Sequence, residues 1–125
     1  MQTLSVVITT PPSSYLTITA IDYINSAVNA GVEVVGVFFY QAGVLNASAN
    51  IAIANDEYQT HEQWQKLNQE HGVHLHVCIT ACEKRGLSDE LNNETVQSNI
   101  SDFFTVSGLG ELVELTAKSE RMVQF

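Results

Sequence analysis

Basic side chains are scarce in this sequence. Its 125 residues include 5 Lys and Arg against 14 Asp and Glu, which gives a formal net charge of -9 at pH 7. Proteins that bind nucleic acids or anionic membranes neutralise phosphate groups with Lys and Arg, and this chain has few to offer. The composition therefore argues against direct nucleic-acid or membrane binding, and an acidic surface suits solubility or a basic protein partner.

Cysteines and long apolar runs are also lacking. The 2 cysteines are too few for the disulfide framework of a small secreted domain. No stretch approaches the ~20 apolar residues of a membrane span, and the first residues lack the basic region and cleavage site of a signal peptide. We therefore expect a cytoplasmic protein with reduced thiols, folded as a single domain over residues 1–125.

Short apolar runs alternate with helical patterns along the chain. The runs predict strands at 4–10, 32–40, 73–79 and 103–107, and a possible edge strand at 121–125. Helical patterns predict helices at 15–30, 56–71 and 111–120 and a helical turn at 80–85. Residues 41–55 have no clear period and predict a loop or a short helix, and the polar, acidic residues 87–100 predict a loop with a short helix. Because continuous apolar strands are typical of sheets covered on both faces, we predict a three-layer α/β/α fold with a mostly parallel, about five-stranded sheet.

Three residues mark the predicted helix ends. Ser14 is a suitable N-terminal cap for the first helix, because its hydroxyl can accept a hydrogen bond from a backbone N–H of the first turn. Gly31 and Gly72 each follow a helical pattern, at the position where a left-handed backbone commonly ends a helix.

Cys78 stands at the end of the third predicted strand, just before a helical turn. Sites in open parallel sheets form at the carboxyl ends of strands, where the loops and the following helices meet. A thiol there is next to the positive end of a helix, and Lys84 and Arg85 follow within two turns, so the pattern favours its thiolate form. The alternative is that Cys78 is a small buried apolar residue, which is a common role for a cysteine.

The segment around Cys78 allows two further interpretations. Cys82 follows four residues later, where it could pair with Cys78 under oxidation or pack a helix against the sheet. Strand alternation places His74, His76 and Cys78 on one face, which resembles a metal-binding row. A zinc site needs three or four converging ligands, however, and residues along one strand do not converge, so packing is the better interpretation of the histidines and we expect no metal.

The sequence offers no motif for a cofactor. Gly108, Leu109 and Gly110 lack the Lys-Ser/Thr of a phosphate-binding loop and the third glycine of the dinucleotide fingerprint. Tight packing of a strand against the following helix is the simpler explanation for these glycines. We therefore expect no bound cofactor.

Several longer segments resemble one known family. They are GVFFYQAGVLNASAN at 36–50, WQKLNQEHGVHLHVC at 64–78, RGL at 85–87, FFTVSGLGELVEL at 103–115 and ERMVQF at 120–125. In order and spacing they are similar to the DsrE family of sulfur-relay proteins, and together they span nearly the whole chain. The family's fold, a parallel five-stranded sheet between helices, agrees with the fold predicted from the residues.

The resemblance implies a task for Cys78. It implies a sulfurtransferase in which Cys78 accepts sulfane sulfur as a persulfide from an upstream donor protein and passes it to a downstream carrier, in a relay that leads to 2-thiouridine in tRNA. It also implies two related partner subunits in a heterohexamer, and an accessible Cys78. The residues leave open a relay for sulfur oxidation, and a non-catalytic interaction subunit of the same fold.

Overall fold

The computed structural model describes residues 2–88 and 98–125. The strands are β1 (Thr3–Ile8), β2 (Glu33–Phe39), β3 (Leu75–Cys78), β4 (Thr105–Ser107) and β5 (Arg121–Gln124). The α-helices are α1 (Tyr15–Asn29), α2 (Thr60–His71), α3 (Ile79–Glu83) and α4 (Leu109–Lys118), and a 3₁₀ helix spans Gln41–Ala47. None of the described helices has the length and apolarity needed to cross a membrane.

All strand pairs are parallel. The five strands form one sheet in the order β4-β3-β2-β1-β5, which confirms the predicted α/β fold and the predicted edge strand at the end of the chain. The buried apolar residues form one cluster that includes residues from all helices and from the three inner strands. The longest apolar runs therefore became the central strands, as expected for a sheet covered on both faces.

The predicted helix ends are confirmed for α1 and for the end of α2. The Ser14 hydroxyl accepts a hydrogen bond from the Leu16 N–H at 3.1 Å. Gly31 and Gly72 have φ angles of 85° and 66°, in the left-handed region where glycine has no steric penalty. These caps fix where the chain turns back toward the sheet.

Other predicted boundaries were wrong. Helix α2 begins at Thr60 instead of residue 56, because residues 54–59 form a turn in which the Gln59 side chain donates to the Ala54 carbonyl at 2.8 Å. Strand β4 begins at residue 105 and α4 at 109, so Gly110 lies inside a helix. The short helix predicted within 87–100 lies mostly outside the described residues.

The two faces of the sheet carry different helices. Helix α4 covers the face to which Ser5 and His76 point. The Ser5 hydroxyl donates to the Leu115 carbonyl at 3.4 Å, and His76 pairs with the Glu111 side chain of α4. On the opposite face, Trp64 of α2 packs edge-on against Phe39 with ring centroids 4.9 Å apart. The sheet is therefore the middle of three layers.

Asn46 is a buried polar residue that ties three segments together. Its amide nitrogen donates to the carbonyls of Thr10 at 3.0 Å and Gly43 at 2.9 Å. Its amide oxygen accepts a hydrogen bond from the indole N–H of Trp64 at 3.0 Å. Because these bonds join the loop after β1, the 3₁₀ helix and α2, Asn46 holds together loops that leave the carboxyl ends of the strands.

Replacing Asn46 by alanine is expected to destabilise the fold by about 3 kcal/mol, because the indole N–H of the fully buried Trp64 loses its acceptor. Urea unfolding followed by circular dichroism measures the change. Trp64→Phe alone and combined with Asn46→Ala completes a double-mutant cycle. If the losses of stability caused by Asn46→Ala and Trp64→Phe simply add in the double variant, the hydrogen bond between Asn46 and Trp64 contributes nothing to stability and the prediction is wrong.

Candidate functional site

Cys78 ends β3 and caps α3. It has an extended backbone (φ -68°, ψ 120°), and the helix begins at the next residue, Ile79. The prediction that this thiol stands where a strand meets a helix is therefore confirmed. Its side chain is only 1 % exposed, so the accessible thiol that the resemblance implies is absent from the isolated chain.

Ser107 is the neighbour of Cys78 on the next strand. The Cα atoms of the two residues are partners in the parallel pairing of β3 and β4, and the side chains of partners point to the same face of a sheet. His76 lies two residues before Cys78 and shares that face. The side that α4 covers thus brings together a thiol, a hydroxyl and an imidazole at the carboxyl end of the sheet.

Cys82 lies elsewhere. It is a buried residue of α3 and lines a cavity of about 200 Å³ together with Leu87, Ile100 and Val106. Val106 is the register partner of Val77, so this cavity is on the face opposite to Cys78. This arrangement does not favour the interpretation of the two cysteines as a redox pair, and both are present as thiols.

Lys84 and Arg85 do not contact Cys78. Both side chains are exposed, and the Arg85 guanidinium donates to the Ala81 carbonyl at 3.2 Å, at the end of α3. Both cations therefore face solvent, and Arg85 bonds to α3. The sequence-based interpretation that they hold the charge of a Cys78 thiolate finds no contact to support it.

The row of His74, His76 and Cys78 is not a cluster. His74 is exposed, His76 is half-buried and Cys78 is buried. The ring centroids of His74 and His76 lie 6.3 Å apart. Within residues 2–88 and 98–125, no three His, Cys, Asp or Glu side chains are grouped as metal ligands.

His76 is held by two side chains instead. Its Nδ1 lies 3.1 Å from the Ser107 Oγ, and its Nε2 lies 3.5 Å from the Glu111 Oε1. Burial lowers the pKa of His76 below its ordinary value of 6.5, and His74 and Lys118 act in the same direction, while the Glu111 carboxylate partly opposes them. The imidazole is therefore neutral at pH 7.

Stability is expected to fall as the pH drops below about 6.5, the ordinary pKa of histidine. Below this pH the histidine of the unfolded chain binds a proton, whereas folded His76 stays unprotonated because its pKa is lowered. Since the unfolded state then binds more protons than the folded state, lowering the pH reduces the free energy of unfolding. Burial lowers the pKa of His61 as well, which adds to the effect. Urea unfolding at pH 5.5 and 7.5 should show a shallower pH dependence for His76→Gln than for the wild type; an unchanged slope would contradict this assignment.

Ser107 and Glu111 are site residues that the sequence did not predict. Ser107 ends a strand and Glu111 lies in the first turn of α4, so each has an ordinary local explanation. One signal in the sequence could have indicated Ser107. Cys78 and Ser107 each end a predicted strand, and the carboxyl ends of neighbouring parallel strands lie at the same edge of a sheet. Which strands are neighbours is set by the sheet order, which no local pattern gives.

Solved structures share this fold. The YchN protein from E. coli superposes with a TM-score of 0.73 at 18% sequence identity, covering 100% of both chains. A conserved protein of unknown function from Bacteroides thetaiotaomicron superposes with a TM-score of 0.65 at 20% identity, covering 99% of this chain and 95% of that one. At these identities the likeness concerns the fold.

Sequence relatives are closer. A protein of Salmonella dublin named "Sulfurtransferase TusD" is 41% identical over 109 residues, which is 85% of this chain and 85% of the relative. Its namesake in Salmonella arizonae is 39% identical over the same share of both chains. A sequence model of the DsrE/DsrF-like family matches residues 2–125. From the extent of this match and the identity to these relatives, we conclude that the chain belongs to the DsrE/DsrF-like family.

Proposed function

We propose that this protein is a sulfurtransferase that carries sulfane sulfur as a persulfide on Cys78. In this reaction the Cys78 thiolate attacks the outer sulfur of a donor persulfide, and the donor leaves as a thiolate. The Cys78 persulfide then gives its outer sulfur to the cysteine of a downstream carrier. The observation that carries the proposal is the position of Cys78 at the carboxyl end of β3, in a chain whose relatives are named sulfurtransferases.

We further propose that the chain works with protein partners. These are TusB-like and TusC-like subunits in a heterohexamer, an upstream persulfide donor, and a TusE-like acceptor in a relay toward 2-thiouridine in tRNA. Exposed apolar side chains support partner binding, since Tyr15 is 88 % and Leu16 53 % exposed at the start of α1. The net charge of -9 supports a relay in which another component contacts the tRNA.

The same proposal covers location and domain structure. Reduced thiols, at both Cys78 and Cys82, are suited to the reducing cytoplasm. One sheet and one cluster of buried apolar residues support the assignment of residues 1–125 to a single domain.

One observation favours a second candidate function. Cys78 is 1 % exposed, as a cysteine with only a packing role would be. A non-catalytic interaction subunit of the same fold would leave Cys78 unmodified in the presence of a persulfide donor, and would react slowly with iodoacetamide in the native state.

Loading with sulfur distinguishes the two functions. The protein is incubated with a cysteine desulfurase, cysteine and a persulfide-carrying donor protein, and is then weighed by mass spectrometry with and without its partner subunits. The sulfurtransferase gains the mass of one sulfur atom, located by peptide mapping at Cys78. If no added sulfur is found under either condition, the chain is the non-catalytic subunit.

A further inference from the structure

Three polar side chains from three elements form a continuous row. The Ser107 Oγ of β4 lies 3.1 Å from the Nδ1 of His76 on β3. The His76 Nε2 lies 3.5 Å from a carboxylate oxygen of Glu111 on α4. The row thus has the order hydroxyl, imidazole, carboxylate, which is the order of a proton relay that activates a nucleophile.

The hydroxyl end of this row lies beside Cys78. Ser107 and Cys78 are register partners on neighbouring parallel strands, which run about 4.8 Å apart, with both side chains on the same face. Since His76 projects from the same face two residues earlier, the thiol and the imidazole reach the hydroxyl from the same side.

The direction of the hydrogen bonds follows from the neighbours of His76. The Glu111 carboxylate can only accept hydrogen bonds, so its position 3.5 Å from the Nε2 of His76 favours the tautomer of the neutral imidazole that carries its proton on Nε2. Its Nδ1 is then an acceptor, and the Ser107 hydroxyl donates to it. The Ser107 oxygen keeps its lone pairs, which can accept the proton of a thiol.

The charges around His76 allow it to take up that proton transiently. Burial lowers the pKa of the ring, so the ring is neutral and able to act as a base at pH 7. Once protonated, it faces the Glu111 carboxylate, while His74 and Lys118 oppose the charge. His76, Glu111 and Lys118 also line an open cleft of about 630 Å³, through which the proton reaches solvent.

We propose that Ser107, His76 and Glu111 form a proton relay that converts the Cys78 thiol into a thiolate. The thiol proton passes to the Ser107 oxygen as the hydroxyl's own proton passes to the His76 Nδ1. The products are a thiolate and an imidazolium next to Glu111; only protons move, and no oxidant or reductant is consumed. This inference rests on the proposed function in that it takes Cys78 as the reacting group, and it assigns positioning roles to His76 and Glu111.

The relay is tested by titrating Cys78 in the full chain. The ultraviolet absorbance of the thiolate is followed against pH in a Cys82→Ala background, with Cys78→Ala subtracted as the reference. Ser107→Ala is expected to leave about tenfold less thiolate at pH 7, a shift of one pH unit in the titration. Ser107→Thr restores the hydroxyl and the wild-type profile, and His76→Gln lowers the thiolate fraction with Ser107 in place.

Thr105→Val is the matched control, because it removes a hydroxyl from the same strand and the same face at the register partner of His76. It should leave the titration of Cys78 unchanged. Identical profiles for the wild type, Ser107→Ala and His76→Gln would overturn the relay, even if Cys78 still accepts sulfur. A shifted profile in a protein that never gains sulfur would leave the relay standing and refute the proposed sulfurtransferase.

Discussion

Cys78→Ser is expected to abolish sulfur loading. A serine hydroxyl cannot form a persulfide, and no other group replaces the nucleophile in its position at the end of β3. Loss of at least about 10³-fold in the initial rate of sulfur transfer is expected, as for other nucleophile replacements. The rate is measured as sulfur passed from the donor protein to a carrier cysteine, with the variant's fold checked by circular dichroism.

Cys82→Ala provides the comparison. Cys82 is equally buried but lies on the other side of the sheet, so its removal should leave transfer within about threefold of the wild type. Transfer that survives in Cys78→Ser and disappears in Cys82→Ala would move the reactive thiol to the cavity that Cys82 lines.

Gly43→Ala is expected to cost about 3 kcal/mol or more, a large fraction of the unfolding free energy of a small domain. A Cβ atom at Gly43 would lie 2.0 Å from the carbonyl oxygen of Ile8 and 2.7 Å from its carbonyl carbon. These are backbone atoms of β1, which is paired on both sides by β2 and β5. Because that strand cannot move without disturbing both pairings, the 3₁₀ helix must shift instead.

Gly110→Ala is the matched control for this substitution. A Cβ atom there meets no atom within 4 Å, so the tight packing predicted for this glycine was wrong. The residue lies in α4, where alanine is favoured over glycine by up to about 1 kcal/mol. The midpoint of urea unfolding should therefore fall for Gly43→Ala and rise slightly for Gly110→Ala. Equal midpoints for the two variants would show that the 3₁₀ helix can move away from β1 at little cost.

Much of the fold could be predicted because its signals are local. Continuous apolar runs marked the buried strands, and Ser14 and Gly72 marked helix ends through their own backbone and side-chain chemistry. The start of α2 was predicted too early because the polar residues before Thr60 are compatible with a helix. The turn made by the Gln59 side chain with Ala54 leaves no periodic pattern in the sequence.

The candidate site was only partly predictable. The position of Cys78 followed from one strand and the helix after it. The bond between His76 and Ser107 joins residues 31 positions apart, and it depends on β4 pairing with β3 in one register. For Cys82 a local pattern was misleading. The four-residue spacing suggested that it lies close to Cys78, but α3 directs it into a cavity on the opposite face of the sheet.

The burial of Cys78 affects how easily a persulfide sulfur at this position would be lost to small thiols. The outer sulfur of a persulfide exchanges readily with any small thiol that reaches it, and the cytoplasm is rich in such thiols. Because Cys78 is only 1 % exposed, small thiols that diffuse freely in solution cannot reach its sulfur. Under the proposed function, a persulfide on Cys78 would therefore be reached only by a partner protein that opens this end of the sheet, and the packing that slows transfer to the acceptor would also protect the sulfur from small thiols.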